Sequence, residues 1–119
     1  MNQKELHWLA GLLEGEGSFT LEHRSRRKHL PPKVRVSVAT TDKDVAEKVA
    51  SILGQKVQGP YDYTKPNGHL GNKQTYRVQE QSVPKAIGLM FTLYPLMSKR
   101  RQNRIEKVVK EWKNAPSGN

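Results

Sequence analysis

Residues 9–17 read Leu-Ala-Gly-Leu-Leu-Glu-Gly-Glu-Gly (LAGLLEGEG), a stretch that starts as a helix and ends against helical rules. Apolar positions at Leu6, Leu9, Ala10, Leu12 and Leu13 predict a helix over residues 3–16, stopped by Gly17. Gly11 and Gly15 fall on the same helical side, and each costs up to about 1 kcal/mol relative to alanine. Close approach to another helix backbone would offset that cost; fraying toward Gly17 is the alternative. Glu14 and Glu16 crowd the last turn, where unpaired carbonyls already concentrate negative charge. A divalent cation at Glu16 would relieve the excess. Magnesium suits such a position, because it binds one or two carboxylates together with substrate phosphate oxygens. The two acids lie about 200° apart around the axis, which separates their roles. For either, a solvated surface acid is the reading that composition leaves open.

The surrounding chain is strongly basic: 21 Lys and Arg stand against 11 Asp and Glu, a net charge of +10. That excess favours a polyanionic partner. Nucleic acid fits better than a membrane, since no apolar run approaches the roughly 20 residues needed to span one. No signal peptide is visible, so an intracellular protein is expected, in a bacterium, a phage-infected cell or an organelle, and not a secreted one. The chain has 119 residues, enough for one domain, and 34% hydrophobic content implies a modest core that a partner subunit would help to complete. Cysteine is absent, and His7, His23, His29 and His69 lack metal-ligand spacing.

Beyond the opening helix, residues 18–24 alternate as a half-buried strand, with Phe19 and Leu21 on one face. Residues 25–32 form a basic loop or strand end with Pro31-Pro32, and Val34, Val36 and Val38 mark a second strand. Asp42 is the expected N-cap of a helix that Gly54 stops, burying Val45, Ala46, Val49, Ile52 and Leu53. A third strand is expected over 55–63, interrupted by Gly59-Pro60, then a hairpin tip at Asn67-Gly68 and a fourth strand over 73–80. Ser82 and Pro84 open a helix that Pro95 breaks, and a last helix runs over 98–113 with Ile105, Val108, Val109 and Trp112 on one face. The plan is α+β: one domain over 1–113, an antiparallel sheet with helices on its apolar face, and a disordered tail over 114–119.

LAGLLEGEGSF resembles the signature of the LAGLIDADG homing endonucleases, with Leu9, Ala10, Gly11, Leu12 and Gly17 matching literally and Glu14 and Glu16 replacing two aspartates. VRVSVATTDKDVAEKVASILG and LYPLMSKRRQNRIEKV resemble later family segments, so the likeness covers roughly residues 5 to 110. The resemblance implies the αββαββα family fold, a saddle-shaped antiparallel sheet. It implies a site-specific, metal-dependent double-stranded DNA endonuclease, using Mg2+ or another divalent cation such as Mn2+. One motif per chain implies a homodimer, its interface at Leu9, Gly11, Leu12 and Gly15. By the same resemblance Glu16 is the catalytic metal ligand, joined by the Gly15 carbonyl, and Glu14 is structural. The late basic residue near the active site matches Lys99, with Arg100 as its rival. A glutamine and a basic residue found in some members align with Ala39 and Lys43, so Lys43 keeps the charge while Ala39 cannot order water.

The polar sheet face would then lie in the DNA major groove. Candidate base readers are Glu22, Arg24, Arg35, Ser37, Lys73, Thr75, Arg77 and Gln79. Residues 24–35 hold Arg24, Arg26, Arg27, Lys28, Lys33 and Arg35 without an acid, a basic arm suited to phosphates. Tyr61 and Tyr63 fit DNA contact or packing equally. A DNA- or RNA-binding module without cleavage, such as a transcription regulator or intron maturase, is the alternative. Retention of an acid at Glu16 favours the enzyme, and Ala39 slightly favours the binder. No small-molecule substrate is expected.

Overall fold

In the computed structural model, residues 1–23, 32–64 and 70–115 are described. Helix α1 (Gln3–Glu16) leads into strands β1 (Gly17–Glu22) and β2 (Lys33–Thr40), then helix α2 (Lys43–Leu53). Strands β3 (Gln58–Thr64) and β4 (Leu70–Glu80) follow, then helix α3 (Val83–Leu93), a 3-10 turn (Tyr94–Leu96) and helix α4 (Lys99–Asn114). The four strands make one antiparallel sheet in the order β1-β2-β4-β3.

Alternation decides which face is buried. Val34, Val36 and Val38 point into the core with Phe19 and Val78, and the register sets Phe19 opposite Val36 and Val38 opposite Val78. The helices cover that face with Leu9 and Leu13 from α1, Ala46 and Val49 from α2, Met90 and Leu93 from α3, and Ile105 and Val108 from α4. Burial of such side chains at about 25 cal/mol per Å2 of apolar surface holds the two layers together.

Helix boundaries follow local chemistry. Asn2 forms a capping box with Glu5 at the start of α1. Gly54 ends α2 in the left-handed conformation, at φ 68°. Asp42 and Ser82 stand at the expected N-cap positions, yet neither side chain makes a cap bond. Thr40 Oγ1 instead accepts from the Asp42 N–H, and the buried Glu80 carboxylate accepts from Ser82 N–H and from Gln55 Nε2.

The strands depart from the sequence reading at β3 and β4. β3 begins at Gln58, not residue 55, and passes through Gly59-Pro60 by shifting register between Gln58 and Tyr61. Proline donates nothing to a ladder, so an irregular edge strand accommodates it. A side chain at Gly59 would meet the Thr75 carbonyl at 2.9 Å, and its φ of 105° excludes most residues. β4 starts at Leu70, three residues earlier than expected. α4 extends to Asn114, one residue into the expected tail. Of the basic loop or strand end expected over 25–32, residues 25–31 lie outside the described residues, as do the expected hairpin tip Asn67-Gly68 and residues 116–119.

Candidate functional site

The C-terminus of α1 abuts the N-terminus of α4, and Glu14 joins them. One Glu14 carboxylate oxygen accepts from Ser98 N–H at 2.7 Å and the other from Ser98 Oγ at 2.7 Å. Ser98 is the N-cap of α4, so the Glu14 charge meets the positive end of a helix dipole. The Ser98 N–H and hydroxyl, then Arg101 and Arg100, hold the Glu14 carboxyl below its usual value against the opposing effect of desolvation. The Glu14 main-chain carbonyl, one of the orphan acceptors of α1, takes Arg101 Nε at 2.9 Å and Arg100 Nη2 at 3.5 Å. Half of the acid concentrated at this helix end is thus satisfied from α4.

Glu16 is different. It is the last residue of α1, it is exposed, and the ion pairs among the described residues do not include it. Gly15 beside it is exposed too. No group of three or more His, Cys, Asp or Glu side chains gathers as a metal cradle among the described residues. A free carboxylate with adjacent main-chain oxygen fits a hard cation that takes its remaining ligands from elsewhere.

Among the basic residues of α4, Lys99 is exposed in the first turn and Arg100 lies 3.9 Å from the Glu14 carboxylate. Two arginines that the sequence reading did not single out are engaged more closely. Arg101 Nε reaches the Glu14 carbonyl, and Arg104 Nε donates to the Phe19 carbonyl at 2.8 Å. The sequence held a signal for them: they stand three apart on α4, which places them on neighbouring positions of one face.

The sheet's polar face carries Ser18, Thr20 and Glu22 from β1, Lys33, Arg35, Ser37 and Ala39 from β2, and Thr75, Arg77 and Gln79 from β4. Arg35 Nη2 lies 3.2 Å from a Glu22 carboxylate oxygen, and its buried Nε has no partner among the described residues. Gln79 Nε2 donates to Gln58 Oε1 at 2.9 Å, bringing in a β3 residue that sequence reading passed over. Tyr61 is 49% exposed and pairs across from Thr75, which places it on this face rather than in the core. Lys73 belongs to β4. Lys43 stands off the sheet in the first turn of α2, 3.9 Å from Glu47. Arg24, Arg26, Arg27 and Lys28 fall outside the described residues.

On α1, Gly11 and Gly15 are exposed, and a Cβ added at either meets nothing within 4 Å among the described residues. Leu12 beside them is half-buried. Leu9 corrects the expected interface: it is 0% exposed and belongs to the chain's own core. The helical period turns it toward the sheet, about 200° from Gly11.

Residues 9–110 match the family model described as LAGLIDADG endonuclease. No curated protein sequence matches the chain significantly. Among solved structures, the fold is similar to the homing endonuclease I-CvuI in complex with its target in the presence of Ca. The TM-score is 0.63 at 18% identity, covering 94% of this chain and 69% of that one. It is also similar to the archaeal intron-encoded homing endonuclease I-Vdi141I complexed with DNA, with TM-score 0.63, 17% identity, and 93% and 70% coverage. A third likeness is the group I intron-encoded I-CeuI complexed with DNA, with TM-score 0.64, 14% identity, and 94% and 55% coverage.

Proposed function

Because this chain belongs to the LAGLIDADG endonuclease family, we infer that it is a site-specific DNA endonuclease acting as a homodimer, one motif helix per subunit. The observation that carries this reading is Glu16: an exposed carboxylate, without an ion-pair partner among the described residues, at the end of the motif helix in a chain of net charge +10. A protein that only bound DNA would gain nothing from an uncompensated negative charge at that point.

The exposed glycine pair supports the dimer. Among the described residues nothing lies within 4 Å of a Cβ built at Gly11 or Gly15, so no packing among them offsets the helical cost of about 1 kcal/mol each. A second α1 packed backbone to backbone across a two-fold axis offsets it. The same axis brings the two Glu16 carboxylates together, and their mutual repulsion favours bound cations.

Glu16 and the Gly15 carbonyl would hold a magnesium ion, a hard cation suited to carboxylate and substrate phosphate oxygens. When bound, the metal would lower the pKa of a coordinated water and offset charge on the leaving 3′ oxygen. The chain's own residues do the rest. Glu14 ties the end of α1 to α4 and so fixes where Glu16 stands. The polar sheet face enters the major groove, where each base pair is distinguishable. There Arg35 and Arg77 would favour guanine and Gln79 adenine. The basic arm of residues 24–35 neutralises backbone phosphates.

Ala39 favours the second reading, a binding module without cleavage. It is exposed on the polar face opposite Arg77 and offers no polar atom to order water. Incubating the protein with a plasmid carrying the DNA that flanks its gene, with and without Mg2+, separates the two. Magnesium-dependent linear product is expected; retention of the plasmid in a complex without any cut at any metal concentration overturns the enzyme in favour of the binder.

A further inference from the structure

Between the start of β1 and the first two turns of α4 lies an open cleft of about 350 Å3, lined by residues 17–20 and by Arg100, Arg101 and Arg104. β1 is an edge strand, so one side of its backbone faces this cleft. Arg101 and Arg104 each anchor their Nε to a main-chain carbonyl, Glu14 at 2.9 Å and Phe19 at 2.8 Å. An arginine tethered through Nε keeps its two terminal nitrogens as a preset fork, the geometry that takes phosphate oxygens in pairs. Among the described residues those terminal nitrogens have no hydrogen-bond partner. Arg101 also stacks over the Phe19 ring, 5.8 Å from its centroid, which limits its freedom further.

Covering an edge strand and capping a helix end account for the two Nε bonds. They do not account for two anchored forks meeting a third arginine on one cleft. Burial, then the charge of Arg100, make the cation at Arg101 more costly than in water, and the Glu14 charge offsets only part of that. Glu14 itself is already committed to Ser98. Three arginines on one cleft suit an anion.

We propose that this cleft binds a phosphodiester of the DNA backbone, gripped by the forks of Arg101 and Arg104. The cleft begins at Gly17, the residue after Glu16, so a phosphate seated there sets the strand's register relative to the catalytic carboxylate. Arg101 and Arg104 are positioning residues in this account, acting beside Lys99, which does not line the cleft. The proposal rests on the endonuclease reading above and adds a place where the backbone is held.

The test uses the full chain and duplexes carrying the flanking DNA, with a single neutral methylphosphonate moved through the phosphates around the cut. For wild-type protein, one position per half-site should lower affinity about tenfold. Arg104→Gln should lose part of that factor on unmodified DNA and show a smaller further penalty at that position, because one of the phosphate's two arginines is already gone. Arg104→Lys, which keeps the charge without the fork, should fall between the two. The slope of log affinity against log salt should become shallower by about 0.9 for each phosphate contact removed. An undiminished methylphosphonate penalty in both variants, or an unchanged salt slope, overturns the proposal while leaving the endonuclease reading intact. A wild-type protein that ignores every flanking duplex overturns that reading and the proposal with it. Inorganic phosphate supplies the other arm. If millimolar phosphate raises the wild-type Tm and not that of Arg104→Gln, while the methylphosphonate scan is flat, the cleft takes free phosphate and the DNA assignment is wrong.

Discussion

At the scale of single residues, two glutamates two positions apart have opposite fates. Glu14 is tied to the Ser98 N–H and hydroxyl, and its carboxyl is held below the ordinary value of 4.5. A carboxyl whose pKa is depressed by folding stabilises fully above its unfolded value and loses that contribution as pH falls through the folded value. Urea unfolding of wild type and Glu14→Gln should therefore differ by a constant amount above pH 4.5, with wild type more stable, and converge below it. A difference that stays constant into strong acid would show that the Ser98 contacts act through packing and not through charge. The sequence spacing sets the two acids about 200° apart, and their surroundings differ accordingly. It had no means of pairing Glu14 with Ser98, 84 residues away. For the same reason the partner of Arg104 was illegible, although its place three residues from Arg101 was not: that partner is the Phe19 main-chain carbonyl on another element, and a carbonyl leaves no mark in sequence.

At the scale of elements, the junction between α1 and β1 leaves no room for a side chain. A Cβ at Gly17 would lie 2.7 Å from the Leu13 carbonyl oxygen and 2.9 Å from Leu13 Cα, with the Leu13 side chain closer still. The φ of Gly17 is −82°, open to any residue, so the requirement is for space alone. Gly17→Ala must push strand from helix, and overpacking of this kind costs about 1–3 kcal/mol. Chemical denaturation should record that loss, and cleavage should fall with it as Glu16 moves. A variant as stable and as active as wild type would mean that the helix end yields freely. Gly11 behaves oppositely within the subunit, since a Cβ there meets nothing within 4 Å among the described residues. Gly11→Leu should yield a folded, helical monomer by sedimentation and circular dichroism; an unchanged dimer would place the interface elsewhere. The element order was legible because strand alternation and helical periodicity survive in Val34-Val36-Val38 and in Ile105-Val108-Val109. The β3 boundary was not, because Gly59-Pro60 reads as a break, while the structure absorbs it as a shift of register against β4.

At the scale of the whole molecule, the sheet separates an apolar face, covered by all four helices, from a polar face with Arg35, Arg77 and the surrounding hydroxyls and amides. The proposed base readers on β2 and β4 and the proposed phosphate contacts of residues 24–35 should be separable by salt. Two arms with about three contacts each give a slope near −5 in log affinity against log salt. Alanine at Arg26, Arg27 and Lys28 should flatten that slope and weaken all sequences alike. Arg35→Ala or Arg77→Ala should instead cost about 1–3 kcal/mol on the preferred site only. An arm variant that keeps its slope and loses only cognate binding contradicts this division. The most direct measurement concerns Glu16 itself. Wild type and Glu16→Gln are to be compared at saturating concentration on a plasmid carrying the flanking DNA, with Mg2+, alongside their binding isotherms on the same duplex. The account predicts that Glu16→Gln leaves affinity within about tenfold, or 1.4 kcal/mol, and abolishes cleavage. Full cleavage by Glu16→Gln would contradict it.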